Sequence, residues 1–358
     1  MEHAKEKAAW IAIDTVIIIL TLAGNVLTIC AIVLSKKLSE LLSNRYIFSL
    51  AVSDLMVGLT IPYHLAFTIG KTMLPSYKTT CVLRFVFIIL ACSSSIYNLL
   101  AIAADRYIAI VLPFHYSRYM SKRIVYCIVF SGWCLSFTIA TTPIYWNDWK
   151  SGCNCTLESV LPEKYINFIV TPMFLSIWLV MSLLYFRIWR EAAEHAKRLS
   201  QATQSKQKNI LKENKSVQMV LLILGCFSVC WLPYFVIITF MRFYVNFESY
   251  LLYEATFTMA VMNSCMNPVI YAWKNKNFRK AFGCMLRCRS PRTLNQEPNY
   301  ITDHVPSGKT KRNSMTVICG DGIIVEDGTK TIEMQCGRKC DENSDATIVT
   351  TCVATNEM

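Results

Sequence analysis

Charged residues are missing from long stretches of this 358-residue chain and crowd into the connections between them. Seven apolar blocks run roughly over Ala9–Ser35, Arg45–Ile69, Thr79–Leu112, Arg123–Tyr145, Lys164–Arg190, Lys215–Met241 and Tyr250–Trp273. Each approaches the roughly twenty apolar residues that cross about 30 Å of hydrocarbon as a helix. Backbone polar groups find no water there, so every block is predicted to be helical. The expected fold class is an all-α membrane protein: a seven-transmembrane helix bundle over 9–273, preceded by a short extracellular segment, 1–8. The third block stands out. Its uncharged run, Phe85 to Ala104, ends abruptly at Asp105-Arg106-Tyr107, and Cys81 lies near its other mouth.

Beyond the last block, Phe278, Phe282 and Leu286 recur at i, i+4 and i+8 within 275–288. That spacing predicts a short amphipathic helix on the inner membrane surface. Cys284 and Cys288 follow its apolar face and are candidate palmitoylation sites. From 289 to 358 the chain is polar, without helical period, and is expected to be a disordered cytoplasmic tail.

Composition and charge fit this picture. Only 17% of residues are charged and 54% are hydrophobic, whereas a soluble domain carries about a quarter charged. The net charge of +12 is not one nucleic-acid-binding patch. It gathers in the connections after the first, third, fifth and seventh blocks, as Lys36, Lys37, Arg118, Lys122, Lys197, Arg198, Lys274 and Arg279 illustrate. The positive-inside rule then puts the N-terminus outside and the C-terminus in the cytosol. The first block is too long for a cleavable signal core and reads as a retained signal-anchor helix. Of 16 cysteines, most lie inside apolar blocks, and none has convincing zinc-ligand spacing.

Polar groups inside hydrocarbon are costly and point to function. Asp54 is the carboxylate read as lying deep within a span, with Asn25, Ser95, Asn263, Ser264 and Asn267 at comparable depth. These are either helix–helix hydrogen-bonding groups or oxygen ligands for a hard monovalent cation. In the sixth block Phe227 and Trp231 share one face beside Pro233, and in the seventh Asn267 and Tyr271 flank Pro268. Proline inside a helix removes a backbone bond and kinks it, so both are candidate hinges.

Taken together, these residues resemble the rhodopsin-like G-protein-coupled receptors. The resemblance rests on Gly24-Asn25, Ser49-Leu-Ala-Val-Ser-Asp54, Cys81, Asp105-Arg106-Tyr107, Trp133, Cys230-Trp231-Leu-Pro233 and Asn267-Pro-Val-Ile-Tyr271. It covers about Trp10 to Cys288. The family's usual proline in mid-fifth span is absent and Pro172 lies earlier, while Tyr185 is retained. The resemblance implies that Asp105 and Glu213 hold Arg106 in the inactive state, and that Tyr185 and Tyr271 rearrange as the sixth helix swings outward. It implies that Phe227 and Trp231 form a switch beneath the ligand, and that Leu112 inserts into the G protein. Asp54, Ser95, Asn263, Ser264 and Asn267 match the family's sodium site. Cys81 is expected to bridge to the loop after span four, which offers Cys153 and Cys155. That loop, from Cys155 to Tyr165, resembles the adenosine receptors', which favours Cys155. Asn154-Cys-Thr156 is a glycosylation sequon on the same loop.

The family reading also implies a small-molecule ligand, a heterotrimeric G protein, arrestin and receptor kinases acting through the tail, and a plasma-membrane location among its lipids. The implied pocket is Ile88, Ile89, Cys92, Leu157, Glu158, Trp231, Tyr234, Phe235, Ile238, Phe257 and Val261. Ile88 stands where amine receptors carry an aspartate. Ile238 and Ala260-Val261 replace the groups with which adenosine receptors hold purine and ribose. The expected ligand is a small, largely apolar or aromatic molecule with a donor facing Glu158, the alternatives being a biogenic amine or a lipid-like compound. A transporter would show internal repeats and midplane charges, and an enzyme a convergent catalytic set; neither pattern is present in the sequence.

Overall fold

The computed structural model describes residues 2–69, 77–152, 155–199, 204–243, 250–291, 323–327 and 330–334. Its main helices are α1 (Glu2–Leu34), α2 (Ser43–Ile69), α3 (Lys78–Val111), α4 (Lys122–Tyr145), α5 (Thr171–Leu199), α6 (Gln204–Phe243), α7 (Tyr250–Lys274) and α8 (Lys276–Leu286). Six stretches among the described residues, in α1 to α6, are long and apolar enough to cross a membrane. The seventh, α7, has 25 residues. Glu254, Asn263, Ser264 and Asn267 dilute its apolar character, and all four are buried in the bundle.

Several helices outrun the apolar blocks that announced them. Hydrophobicity marks only the stretch in lipid, whereas good helix formers such as Lys, Gln and Glu carry the helix onward. Thus α1 already begins at Glu2, within the segment expected to precede the bundle. Helix α6 has 40 residues, or about 60 Å at 1.5 Å per residue.

Helix α3 is the axis: it packs against α2, α4 and α5, while α1 packs on α2 and α7, and α6 on α5 and α7. Trp133 of α4 donates its indole N–H to Ser49 of α2 at 3.0 Å. Two close approaches depend on glycine. A Cβ at Gly24 of α1 would lie 2.9 Å from Cγ of Pro268 on α7, and one at Gly132 of α4 would overlap the ring of Tyr97 on α3. We expect Gly132→Val to destabilise the bundle by about 1–3 kcal/mol through overpacking. The corresponding fall in melting temperature of the purified protein is the measurement that checks it.

The fifth helix opens on a departure from α geometry next to Pro172. After the short turn Glu163–Tyr165, residues Ile166–Val170 form a π-helical turn that runs into α5. The Thr171 N–H reaches back to the Ile166 carbonyl, five residues away. Pro172 follows and has no N–H to offer, so the usual α bond cannot form there. The Tyr165 hydroxyl donates to the Ile139 carbonyl at 2.9 Å and pins this turn to α4.

Helix α8 starts where Asn275 caps it, its side-chain oxygen accepting from the Asn277 and Phe278 N–H groups. Phe278, Ala281 and Phe282 are buried, with the Phe278 ring 5.4 Å from that of Tyr271. The apolar face therefore turns into the bundle, and Leu286, at 76% exposure, does not share it. Cys284 is half-buried and Cys288 exposed.

A second unit, 299–358, departs from the expectation of an unstructured tail. It holds an antiparallel hairpin of β1 (Ile323–Asp327) and β2 (Lys330–Met334), pairing Val325 with Ile332 and Asp327 with Lys330. The sequence carries the signal: β-branched runs on either side of Asp327-Gly328.

Candidate functional site

Three sites lie along α3, and each is assembled from residues that the helical pitch turns inward. The outermost is a pocket. Helix α3 supplies Phe85, Ile88, Ile89 and Cys92; α6 supplies Trp231, Tyr234 and Ile238; α7 supplies Tyr253 and Phe257. Leu157 and Leu161 of the loop, Ile166 and Val170 of the π turn, and Met173 and Phe174 of α5 complete the far wall. Eight of the anticipated ligand residues therefore line it: Ile88, Ile89, Cys92, Leu157, Trp231, Tyr234, Ile238 and Phe257. Three do not. Phe235 stacks face to face on Phe174 at 3.7 Å. Val261 is buried in a separate apolar cluster with Ile17, Val57 and Ile61. Glu158 opens the short helix Leu157–Val160 and is exposed rather than lining the pocket.

The structure pairs Cys81 with Cys155, tying the outer end of α3 to the loop over the pocket. Asn154 and Cys153 lie outside the described residues. Beside the bridge is a cluster that sequence reasoning missed. Arg84 is buried; it donates through Nε to His64 Nδ1 at 3.0 Å and through Nη1 to the Cys155 carbonyl at 2.8 Å, while its Nη2 lies 2.8 Å from His64 Nε2. Its guanidinium also lies over Phe67 and Phe85, 5.0 Å and 5.4 Å from the ring centroids. His64 in turn stacks on Phe257 at 4.8 Å. The available signal was Arg84 itself, a basic residue embedded in an apolar block, which demands a partner.

About three helical turns along α3 from Arg84 is the polar core. Asp54 is fully buried. Its Oδ1 accepts from the Ser95 hydroxyl at 2.7 Å and the Ser264 hydroxyl at 2.8 Å, and its Oδ2 accepts from the Asn267 amide at 2.7 Å. Asn25 donates to the Ser264 carbonyl at 3.1 Å. Asn263 is buried nearby in sequence but does not join these bonds; its amide nitrogen, like the Asn25 oxygen, has no protein partner. Asp54 is not alone among intramembrane carboxylates, contrary to the sequence reading. Asp14 of α1 accepts from the Thr258 hydroxyl of α7 at 3.2 Å, and Glu254 is buried in α7.

At the other end of α3, Asp105 accepts from Arg106 through Nη2 at 2.6 Å and Nε at 3.0 Å. The other Asp105 oxygen accepts from the Tyr116 hydroxyl at 3.0 Å, and Ser43 of α2 accepts from Arg106 Nη2. Burial raises the Tyr116 phenol above its ordinary value, with the Ser43 bond pulling the other way, so it remains a proton donor to Asp105. Tyr107 is half-buried, and Leu112, at the C-cap of α3, is exposed. The side chain of Glu213, the other expected partner of Arg106, lies outside the described residues.

Between core and cytoplasmic end, Tyr185 and Tyr271 are each 1% exposed and their hydroxyls have no partner. Above them Phe174 of α5 bridges Phe227 and Trp231 of α6, at 5.9 Å and 6.4 Å between centroids. Pro233 and Pro268 sit inside α6 and α7.

Comparison with known proteins agrees with this arrangement. A family model described as "7 transmembrane receptor (rhodopsin family)" matches residues 24–271. Adenosine receptor A2b of Gallus gallus is 28% identical over 77% of this chain and 87% of its own length. Adenosine receptor A2a of Homo sapiens is 31% identical, covering 81% of this chain and 74% of its own. The histamine H2 receptor of Canis lupus familiaris is 30% identical over 77% and 78%. With its seven-helix bundle, its α3 axis and that match, the chain belongs to the rhodopsin family of seven-transmembrane receptors, a family of receptors and not of enzymes.

Proposed function

We propose that this receptor binds a small extracellular molecule in the outer pocket and, through α3, α6 and α7, activates a heterotrimeric G protein at the Asp105–Arg106 end. One observation carries the reading. A single helix, α3, bears the pocket residues Ile88, Ile89 and Cys92, the Ser95 hydroxyl bound to Asp54, and the Asp105–Arg106 pair. A ligand that shifts Trp231 disturbs the packing around Phe174 and Phe227, beside the Pro233 kink. Outward movement of α6 then exposes Arg106 to its partner. Agonist-stimulated nucleotide exchange on purified G protein, lost in Arg106→Ala, tests this; exchange indifferent to that change sinks it.

In this reading the receptor is a plasma-membrane protein with its N-terminus outside, engaged by arrestin and receptor kinases at the tail. Asn154 carries a glycan, Cys284 and Cys288 carry palmitoyl chains, and α8 rests against membrane lipids. The polar core takes a sodium ion. A carboxylate with two hydroxyls around it offers the hard oxygen donors such an ion needs, and the unpartnered Asn25 oxygen adds to them. Sodium would hold Asp54, Ser95 and Ser264 together and so favour the closed bundle. Wild-type receptor is expected to melt higher in NaCl than in equimolar KCl, and Asp54→Asn to melt alike in both. A wild type that does not distinguish the two salts removes the sodium assignment.

A further inference from the structure

We infer that the outer pocket selects an uncharged, mainly apolar aromatic molecule bearing a hydrogen-bond acceptor, and discriminates against both amines and carboxylates. This rests on the pocket being the ligand site, and names its substrate class. The groups that line it are overwhelmingly Ile, Leu, Met and Phe side chains. Two of its polar members, His64 and Ser93, already have partners within the protein. His64 presents its edge to Arg84 and its face to Phe257. The Ser93 hydroxyl is turned to the Ile89 carbonyl at 2.6 Å. The rings of Tyr234 and Tyr253 pack against each other, 6.0 Å between centroids.

Neither sign of charge is rewarded. The carboxylate expected at the rim, Glu158, is outside the lining, and Ile88 contributes only methyl groups to it. No carboxylate is among the lining residues, so an ammonium would be buried without a counter-charge in direct contact, which is costly, and would meet the Arg84 guanidinium beyond His64. A carboxylate would approach Arg84 only across the His64 ring. One donor in the lining does lack a partner, the buried indole N–H of Trp231. A ligand acceptor reaching it satisfies a group that is otherwise left unpaired.

The test uses full-length receptor in phosphatidylcholine–phosphatidylserine nanodiscs and four probes built on one ring: tryptamine (cation), indole-3-acetate (anion), tryptophol (neutral, with an acceptor oxygen) and 3-ethylindole (neutral, without one). Thermal stabilisation is titrated for each. Tryptophol is expected to half-saturate at a concentration at least about tenfold below either charged probe, a ratio worth 1.4 kcal/mol, and below 3-ethylindole. In Trp231→Phe its advantage over 3-ethylindole disappears; in Ile88→Asp tryptamine overtakes it. Tryptamine or indole-3-acetate matching tryptophol on the wild type overturns the inference, as does stabilisation by none of the four. The Trp231→Phe comparison holds even if Ile88→Asp does not fold. Binding is read without G protein, so its outcome is separate from that of Arg106-dependent exchange. Stabilisation in the expected order with no exchange would sink the receptor mechanism alone, and exchange with the wrong order would sink the ligand class alone.

Discussion

Asp105→Asn is expected to raise ligand-independent nucleotide exchange about tenfold. Asp105 is 1% exposed and holds Arg106 through two N–H groups, while its second oxygen is held by Tyr116 from the loop beyond α3. Hydrogen bonds to charged groups contribute about 1.5–3 kcal/mol each when buried. Arg106 is 23% exposed on its side chain, so solvent screening places the pair at or below the lower figure. A loss of about 1.4 kcal/mol specific to the closed state multiplies the open population tenfold. Tyr116→Phe removes one neutral donor and should raise basal exchange only about threefold to fivefold, corresponding to about 1 kcal/mol. Basal exchange on purified G protein, normalised to folded receptor, gives both values. If Asp105→Asn folds and leaves the basal rate unchanged, the pair is not a restraint on Arg106.

The second large effect is on stability. Replacing Cys81 and Cys155 together by serine is expected to cost about 2–5 kcal/mol, the usual range for a native bridge. The bridge closes a separation of 74 residues. It also fixes the Cys155 carbonyl that accepts from Arg84. Without it Arg84 loses one anchor, and His64 loses the guanidinium that orients it against Phe257. The double variant should therefore melt lower in nanodiscs and also lose probe binding, whereas a surface staple of no further consequence would lower stability alone. Mild reduction of the wild type should reproduce both losses.

Much of this was legible in the sequence, and the failures have identifiable causes. Periodicity and charge placed the seven spans, because hydrocarbon imposes a requirement on each segment by itself. The Asp54 cluster was legible because polar residues in lipid are rare enough to be noticed one by one. The Arg84–His64 cluster was not: it joins α3, α2 and a loop, and its members are ordinary residues until they meet. Asp14 was overlooked because it falls in the outer part of a long, strongly apolar block. Phe235 and Val261 were assigned to the pocket by counting along helices, but a rotation of one residue sends Phe235 onto Phe174 and Val261 toward α1 and α2. The direction of the α8 face was equally hidden, since Phe278 and Phe282 suit a lipid surface and a protein cleft alike.

The π turn at Ile166–Val170 bears on how this chain is compared with others. A π turn holds one residue more than the α turn it replaces, so α5 is spelled one residue longer than its axial length implies. An alignment anchored on Tyr185 and carried outward without a gap therefore falls out of phase on passing Thr171. Every position assigned upstream would then be displaced by about a quarter turn, setting the half-buried Asn167 in place of the wall residue Ile166. Against a relative whose fifth helix is α throughout, the one-residue gap belongs inside this turn, and its far wall should be read only after the gap has been placed there.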